Sequence, residues 1–295
     1  MGLKDWLLRS GRNSGSADIA GCYADIQRWE DIYNGGGDWR YARRGGIQGG
    51  TRKLASLGAA RALCGELARL CFTEGTSMCY SDSDTESFVN RVLTESRFSE
   101  RFPVFLEKVF ALGGGVIKVY YDDSAPDGVP GVRVDLVTAD CFLPTAWNSR
   151  EITGGAFASR IVSGGRNYIL AESQELSGDQ LTIENRLFRE DGGKADMSSV
   201  LPGLSGQSSV KGLTAPLFVY LSAGSRRAAS SGECPLLGSS VFDGAEDTLK
   251  SIDIVFDSLS REFVLGKKRI IVPAYAVRGE WDAAGNKKHY FDVND

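Results

Sequence analysis

Apolar and polar positions along the chain change period twice, and the two changes divide it into three regions. Up to Gly113 the apolar residues recur at helical spacing. "YADIQRWEDIYNGGGDW" (23–39) reads as a short helix closed by Gly35, Gly36 and Gly37. "RKLASLGAARALCGELARLCF" (52–72) reads as a second helix, with an apolar stripe of Leu54, Leu57, Leu63, Leu67, Leu70 and Cys71. "SDTE" at Ser83–Glu86 fits a capping box for a third helix through Val89, Val92 and Leu93. Pro103 fits the first turn of a fourth, "PVFLEKVFAL", stopped by Gly113.

After Gly115 the pattern alternates. "GVIKVYYDD" and "GVRVDLVTA", joined by the turn-rich "SAPDGVPG", predict a strand pair. "GAFASRIV", "NYILAESQEL" and "LTIENRLFRE", separated by "SGGRN" and "SGD", predict an antiparallel meander, with a further strand at "PLFVYL" (216–221). The polar, Gly- and Ser-rich stretch 190–214 predicts a loop. Helices first and a sheet after give an α+β body.

From residue 241 helical spacing returns. Phe242, Ala245, Leu249, Ile252, Phe256, Leu259 and Phe263 step by three and four, the heptad seam of a helix with an apolar partner. A helix from Val241 to Leu265 would be about 37 Å long. Ile254 and Val255 widen its apolar surface beyond one seam. Asp243, Glu246 and Asp247 at its start and Lys267, Lys268 and Arg269 past its end complement the helix dipole. A β-rich run follows. The tail 277–295 reads as a β-hairpin turning at Ala284-Gly285-Asn286.

Composition adds exclusions. In 295 residues, 34 basic against 38 acidic side chains give a net charge of −4, so the chain as a whole is no polyanion binder. Six cations (Arg40, Arg43, Arg44, Arg52, Lys53, Arg61) nevertheless cluster between Asp38 and Arg61, against one acid. Such a cluster suits phosphate, an acidic neighbour or a solvated face. No apolar run reaches the ~18 residues of a membrane span. The start "MGLKDWLLRSGR" is too short and charged for a signal peptide, and Trp6 breaks the myristoylation pattern, which predicts use in a cytoplasm. The six cysteines (22, 64, 71, 79, 141, 234) show no CxxC spacing and the one histidine is His289, so reduced, packed thiols are expected, with no metal. No GxSxG and no phosphate loop occur, and "LGGGVIK" (112–118) leads into a strand where a phosphate loop leads into a helix. The residues predict neither a catalytic site nor a cofactor.

"PLFVYL", "CPLLGSSVFDGAEDTLKSIDIVFDSLSREFVLGKKRIIVP" and "YFDVND" resemble the portal proteins of tailed bacteriophages, in the head portal or minor capsid branch. "IYNGGGDW", "RKLASLGAARALCGELARLCFTE" and the strands around "GGGVIKVYYD" fit the same family. The resemblance covers roughly residues 25 to 295 and is most specific from Pro235 to Pro273. It implies a wing-like domain (1–240), a stem-like helix (241–265) and the start of a β-rich clip (266–295). It implies a dodecameric ring at a capsid vertex of the virion, assembled in the host cytoplasm. Double-stranded DNA would pass through it non-specifically, driven by a separate terminase. Terminase, head-completion or adaptor proteins and capsid or scaffold proteins would be its partners. Phe242, Leu249, Ile252, Phe256, Leu259 and Phe263 would form the oligomer seam, and Lys250, Arg261, Lys267, Lys268 and Arg269 would meet DNA or a neighbour's acids. Measured against the family, the chain stops at Asp295 before a second stem helix and a crown. Two other classes fit the residues: a monomeric capsid-associated adaptor or scaffold, which would bury the seam within its own chain, and an enzyme, which would show clustered carboxylates of shifted pKa in a deep pocket.

Overall fold

The computed structural model describes residues 19–44, 50–73, 76, 79–80, 82–123, 131–224, 236–266, 277–281 and 287–291. The chain is α+β with antiparallel sheets. Its helices are α1 (Ile19–Tyr33), α2 (Ala59–Cys71), α3 (Ser83–Glu95), α4 (Phe98–Leu112), the single turn α5 (Met197–Val200) and α6 (Glu246–Leu265). The strands of the body are β1 (Tyr41–Arg44), β2 (Gly50–Lys53), β3 (Gly114–Asp122), β4 (Gly131–Thr138), β5 (Phe142–Trp147), β6 (Ile152–Ser163), β7 (Arg166–Ser177), β8 (Gln180–Arg189), β9 (Gln207–Lys211) and β10 (Phe218–Ser222). A hairpin of β11 (Val277–Trp281) and β12 (Lys287–Phe291) follows, as the tail pattern predicts; its turn lies outside the described residues.

Glycine sets several of the joints. Gly113 ends α4 at φ 85°, and a Cβ there would stand 2.6 Å from the Gly238 carbonyl oxygen, so the position requires glycine for both its angle and its space. At Gly155 a side chain would meet the Phe142 ring at 2.4 Å, which is what lets β5 and β6 close over that ring.

Besides the two-stranded hairpins β1-β2 and β11-β12, two larger sheets form the β part: β10-β3-β4, and the meander β5-β6-β7-β8-β9. They meet through rings. Phe142 lies 5.2 Å from Phe157 and 5.7 Å from Phe218, and Phe157 lies 5.3 Å from Phe218, so one residue each from β5, β6 and β10 closes the join. The buried Lys118 of β3 reaches the half-buried Glu172 of β7 at 2.9 Å beside this cluster, a pair spanning the sheets. Helix α1 lies in the main core, where Tyr23, Ile26, Trp29 and Ile32 share one face and bury together with Ala111, Leu112, Leu143 and Ala156. Tyr23 also donates its hydroxyl to the Phe142 carbonyl. The second and third layers of aromatic packing, Phe72, Phe98, Phe102 and Phe105, hold α4 against β3 and β4.

Several expectations are corrected. The predicted helix 52–72 begins only at Ala59, because residues 50–53 pair with 41–44 as a hairpin and Gly58 at φ 69° breaks the helical run. Its buried face is Ala60, Cys64 and Ala68, small residues at a spacing of four that let α2 approach α4 closely, while Leu57, Leu63 and Leu70 are exposed. Cys71 is exposed too, as is Cys79, although Cys22 and Cys64 are buried and all the described cysteines are unbridged. The cap of α3 is Asp82, whose carboxylate accepts from the Thr85 N–H at 2.8 Å, one residue before the predicted Ser83. Pro103 stands inside α4, which starts five residues earlier at Phe98. The strand β5 was not expected, and the 190–214 loop contains α5 and β9. The strand 218–222 joins β3 and stays outside the meander. The helix of the heptad begins at Glu246, after Gly244 turns the chain at φ 78°, so Phe242 precedes it and its length is about 30 Å.

These assignments separate cleanly in denaturation. Phe157→Ala should cost about 3–5 kcal/mol, as expected for an enclosed aromatic, whereas Leu70→Ser on α2 should stay within about 0.5 kcal/mol. Urea unfolding of both variants checks this; equal losses would restore the leucine stripe as core.

Candidate functional site: the docking and exposed faces of helix α6

Helix α6 meets the body through carboxylates. Asp253 and Asp257 stand four residues apart, hence on one face, and both are buried. Asp253 accepts from Trp39 Nε1 at 3.0 Å, Ser56 Oγ at 2.8 Å and the Leu57 N–H at 3.1 Å. Arg40 Nη1 lies 3.9 Å away as a charged neighbour without a hydrogen bond. Asp257 takes both arms of the Arg52 guanidinium, each at 2.6 Å, and the Ala55 N–H at 2.9 Å. The fork geometry is the strongest arrangement available to a carboxylate. All the donors come from residues 39–57, the turn, hairpin and connector that precede α2.

The electrostatics follow from this geometry. The Arg52 guanidinium, with help from the Ala55 N–H, lowers the Asp257 carboxyl from 3.8 to about 2, and Arg52 is raised in return. Elsewhere in the body, burial pushes the Cys64 thiol and the Tyr33 phenol up to about 12. Tyr33 donates to Glu107 and lies under Lys108 and Arg61, whose charged groups stand 4.2 and 5.5 Å from its ring centre.

Part of the basic cluster of the sequence thus turns inward, while Arg61 and Lys53 stay exposed. Arg40 is buried beside Asp253, Arg52 holds Asp257, and Arg61 lies 3.6 Å from Glu107. Arg43, Arg44 and Lys53 lie in the β1–β2 hairpin. Of the three readings the composition left open, the acidic neighbour accounts for Arg40, Arg52 and Arg61, and it belongs to the same chain.

The predicted seam divides. Phe242 is buried in the main core, Leu249 packs against that core, and Ile252 and Phe256 are half-buried. Leu259 is 54 % and Phe263 76 % exposed, with Val255 and Val264 open beside them. The docked face runs through Asp253 and Asp257, to one side of the seam, so the apolar line turns away from the body in its second half. Lys250 and Arg261 are both exposed on the polar side, as expected. Lys267, Lys268 and Arg269 lie outside the described residues, as does the side chain of His289.

Beside the helix start, Arg28 bridges to Glu246 at 3.1 Å and to Asp243 at 3.8 Å. Arg28 and Glu246, together with Asp31, Trp39, Tyr41 and Lys250, border an open groove of about 620 Å³. A second groove follows β10 and a third lies between α4 and β4. Tyr33, Cys64 and Asp257, the strongly shifted groups, line none of the three. Among the described residues no group of three His, Cys, Asp or Glu side chains is placed to hold a metal ion, and no helix is long and apolar enough to cross a membrane.

Sequence reasoning missed Asp253 and Asp257, the residues on which the docking rests. Their only local signal was an acid pair at i, i+4 beside an apolar seam, the pattern of an ordinary solvated face.

No family model and no curated protein matches the chain.

Because Asp257 ionises more readily in the docked state, its contribution to stability is fully present above the ordinary carboxylate value and is lost as pH falls from about 4 through about 2. Carboxyl-carbon NMR titration should give Asp257 an apparent pKa of about 2 that moves back towards 3.8 in Arg52→Met. An unchanged value in that variant would remove Arg52 as the cause.

Proposed function

We propose that the chain is a subunit of a phage portal ring, with the α+β body as wing and α6 as the first stem helix. One observation carries the reading: α6 leaves the body with Leu259, Phe263, Val255 and Val264 uncovered over its last turns. A helix end that no described residue covers is marginal in water, and four large exposed apolar side chains there suit an apolar partner. An adaptor working as a monomer would cover that surface with its own residues. In a ring each helix end is covered by the next subunit, a head-to-tail contact that closes by rotation.

In this reading Leu259 and Phe263 form the inter-subunit part of the seam, while Phe242, Leu249, Ile252 and Phe256 anchor the helix to its own wing. Lys250 and Arg261 point to the polar side, where duplex DNA or a neighbour's acids are met. Two cations per subunit on a chain of net charge −4 give weak, salt-sensitive, sequence-independent contact, which suits a channel through which DNA slides. Terminase and head-completion proteins, the partners that the resemblance implies, would dock beyond the helix, on the region of the β11–β12 hairpin.

Light scattering of the purified chain at two salt concentrations, with negative-stain images of any large species, tests this. The reading predicts a mass of many subunits and rings with a central hole. A monomer at every concentration, with no rings, would contradict it.

A further inference from the structure

We infer that Asp253 and Asp257 form a polar clasp that holds α6 in one register and lets it leave the body as a rigid unit while the body stays folded. The inference rests on the docking geometry alone and stands whatever α6 binds once free.

The attachment of α6 differs from that of α1 and α4. Helices α1 and α4 each bury a run of large side chains, whereas α6 contributes Leu249 to the main core and two half-buried residues, Ile252 and Phe256. Besides the Arg28 bridge to Glu246 at its start, five donor groups placed around two carboxylates fix it: Trp39 Nε1, Ser56 Oγ, the Leu57 N–H, the Ala55 N–H and the two-armed Arg52 guanidinium. An apolar interface tolerates sliding by a fraction of a turn. This one does not, because a shift along or around the axis strands a buried charge without its donors.

The same arrangement makes release a single event. Both carboxylates are held by one short segment, so neither can hydrate while the other stays docked. Once both are in water, each side recovers its solvation, and the large apolar surface newly exposed is that of Leu249, Ile252 and Phe256, none of them fully buried in the docked state. The opposed terms of a buried ion pair nearly cancel, so the docked and free states lie close in free energy compared with unfolding of the core. The end of the segment that carries the donors is anchored separately: Arg40 donates through Nε to the Gly35 carbonyl at 2.8 Å, and the Leu54 N–H donates to the Arg40 carbonyl at 2.7 Å. The platform therefore survives the departure of the helix. Gly244, at φ 78° just before α6, is the place where the chain can turn.

Hydrogen exchange of the full chain, read by mass spectrometry, tests the clasp. In Asp257→Ala the amides of 246–265 should exchange at least 10-fold faster than in the wild type, while those of β6 and β7 change less than 2-fold. Adding Arg52→Met to Asp257→Ala should raise exchange no further, since the single change has already opened the clasp. Two results would overturn the inference: acceleration of α6 and the sheets together, which makes the helix part of the cooperative core, or unchanged exchange in α6. If Asp257→Ala proves too unstable to purify, Arg52→Lys, which keeps the charge and loses the fork, is read in the same way.

Discussion

Two carboxylates removed from water must find their donors nearby, and in this protein they find them in one short stretch of chain. Asp253 and Asp257 take a tryptophan N–H, a serine hydroxyl, two backbone N–H groups and an arginine fork from residues 39–57. The demand for full satisfaction fixes both the rotation and the axial position of α6. With the acids turned inward, the apolar seam is carried round to one side, and its second half is exposed at Leu259 and Phe263.

The molecule accordingly has two kinds of stability. The body is held by enclosed rings and aliphatics: Trp29 and its neighbours beneath the meander, and Phe142, Phe157 and Phe218 where the two sheets join. This part is non-directional and tolerant of small shifts. The arm is held by direction and charge, with Leu249 against the core and Ile252 and Phe256 half-buried. A rigid body carrying a precisely aimed helix, whose uncovered end is apolar, is the arrangement that an assembly subunit needs, because the next copy can be met only at a defined angle. The interpretation as a portal subunit draws on that physical arrangement and on the sequence resemblance together.

Much of this was legible where the signal is local. Gly35–Gly37 close α1, Gly113 stops α4, and the Gly-containing turns at 164–165 and 178 space the meander; each position works through backbone angles that its own residue determines. The period of α6 was visible as well. What could not be read depended on distant partners. Residues 52 and 53 read as helix until they pair with 42 and 41, and Gly58 alone does not announce a left-handed turn. Pro144 hides β5, and β9 is entirely exposed, so it carries no apolar alternation. Asp257 and Arg52 are 205 residues apart, and nothing beside either names the other. The stripe Leu57, Leu63, Leu70 misled because leucine is more apolar than alanine, yet close approach of α2 to α4 requires the smaller side chain.

The central claim is that the uncovered end of α6 is a surface for another copy of the chain. Sedimentation velocity of the wild type beside a Leu259→Glu, Phe263→Glu double variant, at matched concentrations, addresses it most directly. Both residues are exposed in the isolated subunit, so the variant should fold with unchanged circular dichroism and stability. The account predicts a large assembly for the wild type and a monomer for the variant. Assemblies of equal size in both, or monomers in both, would contradict it.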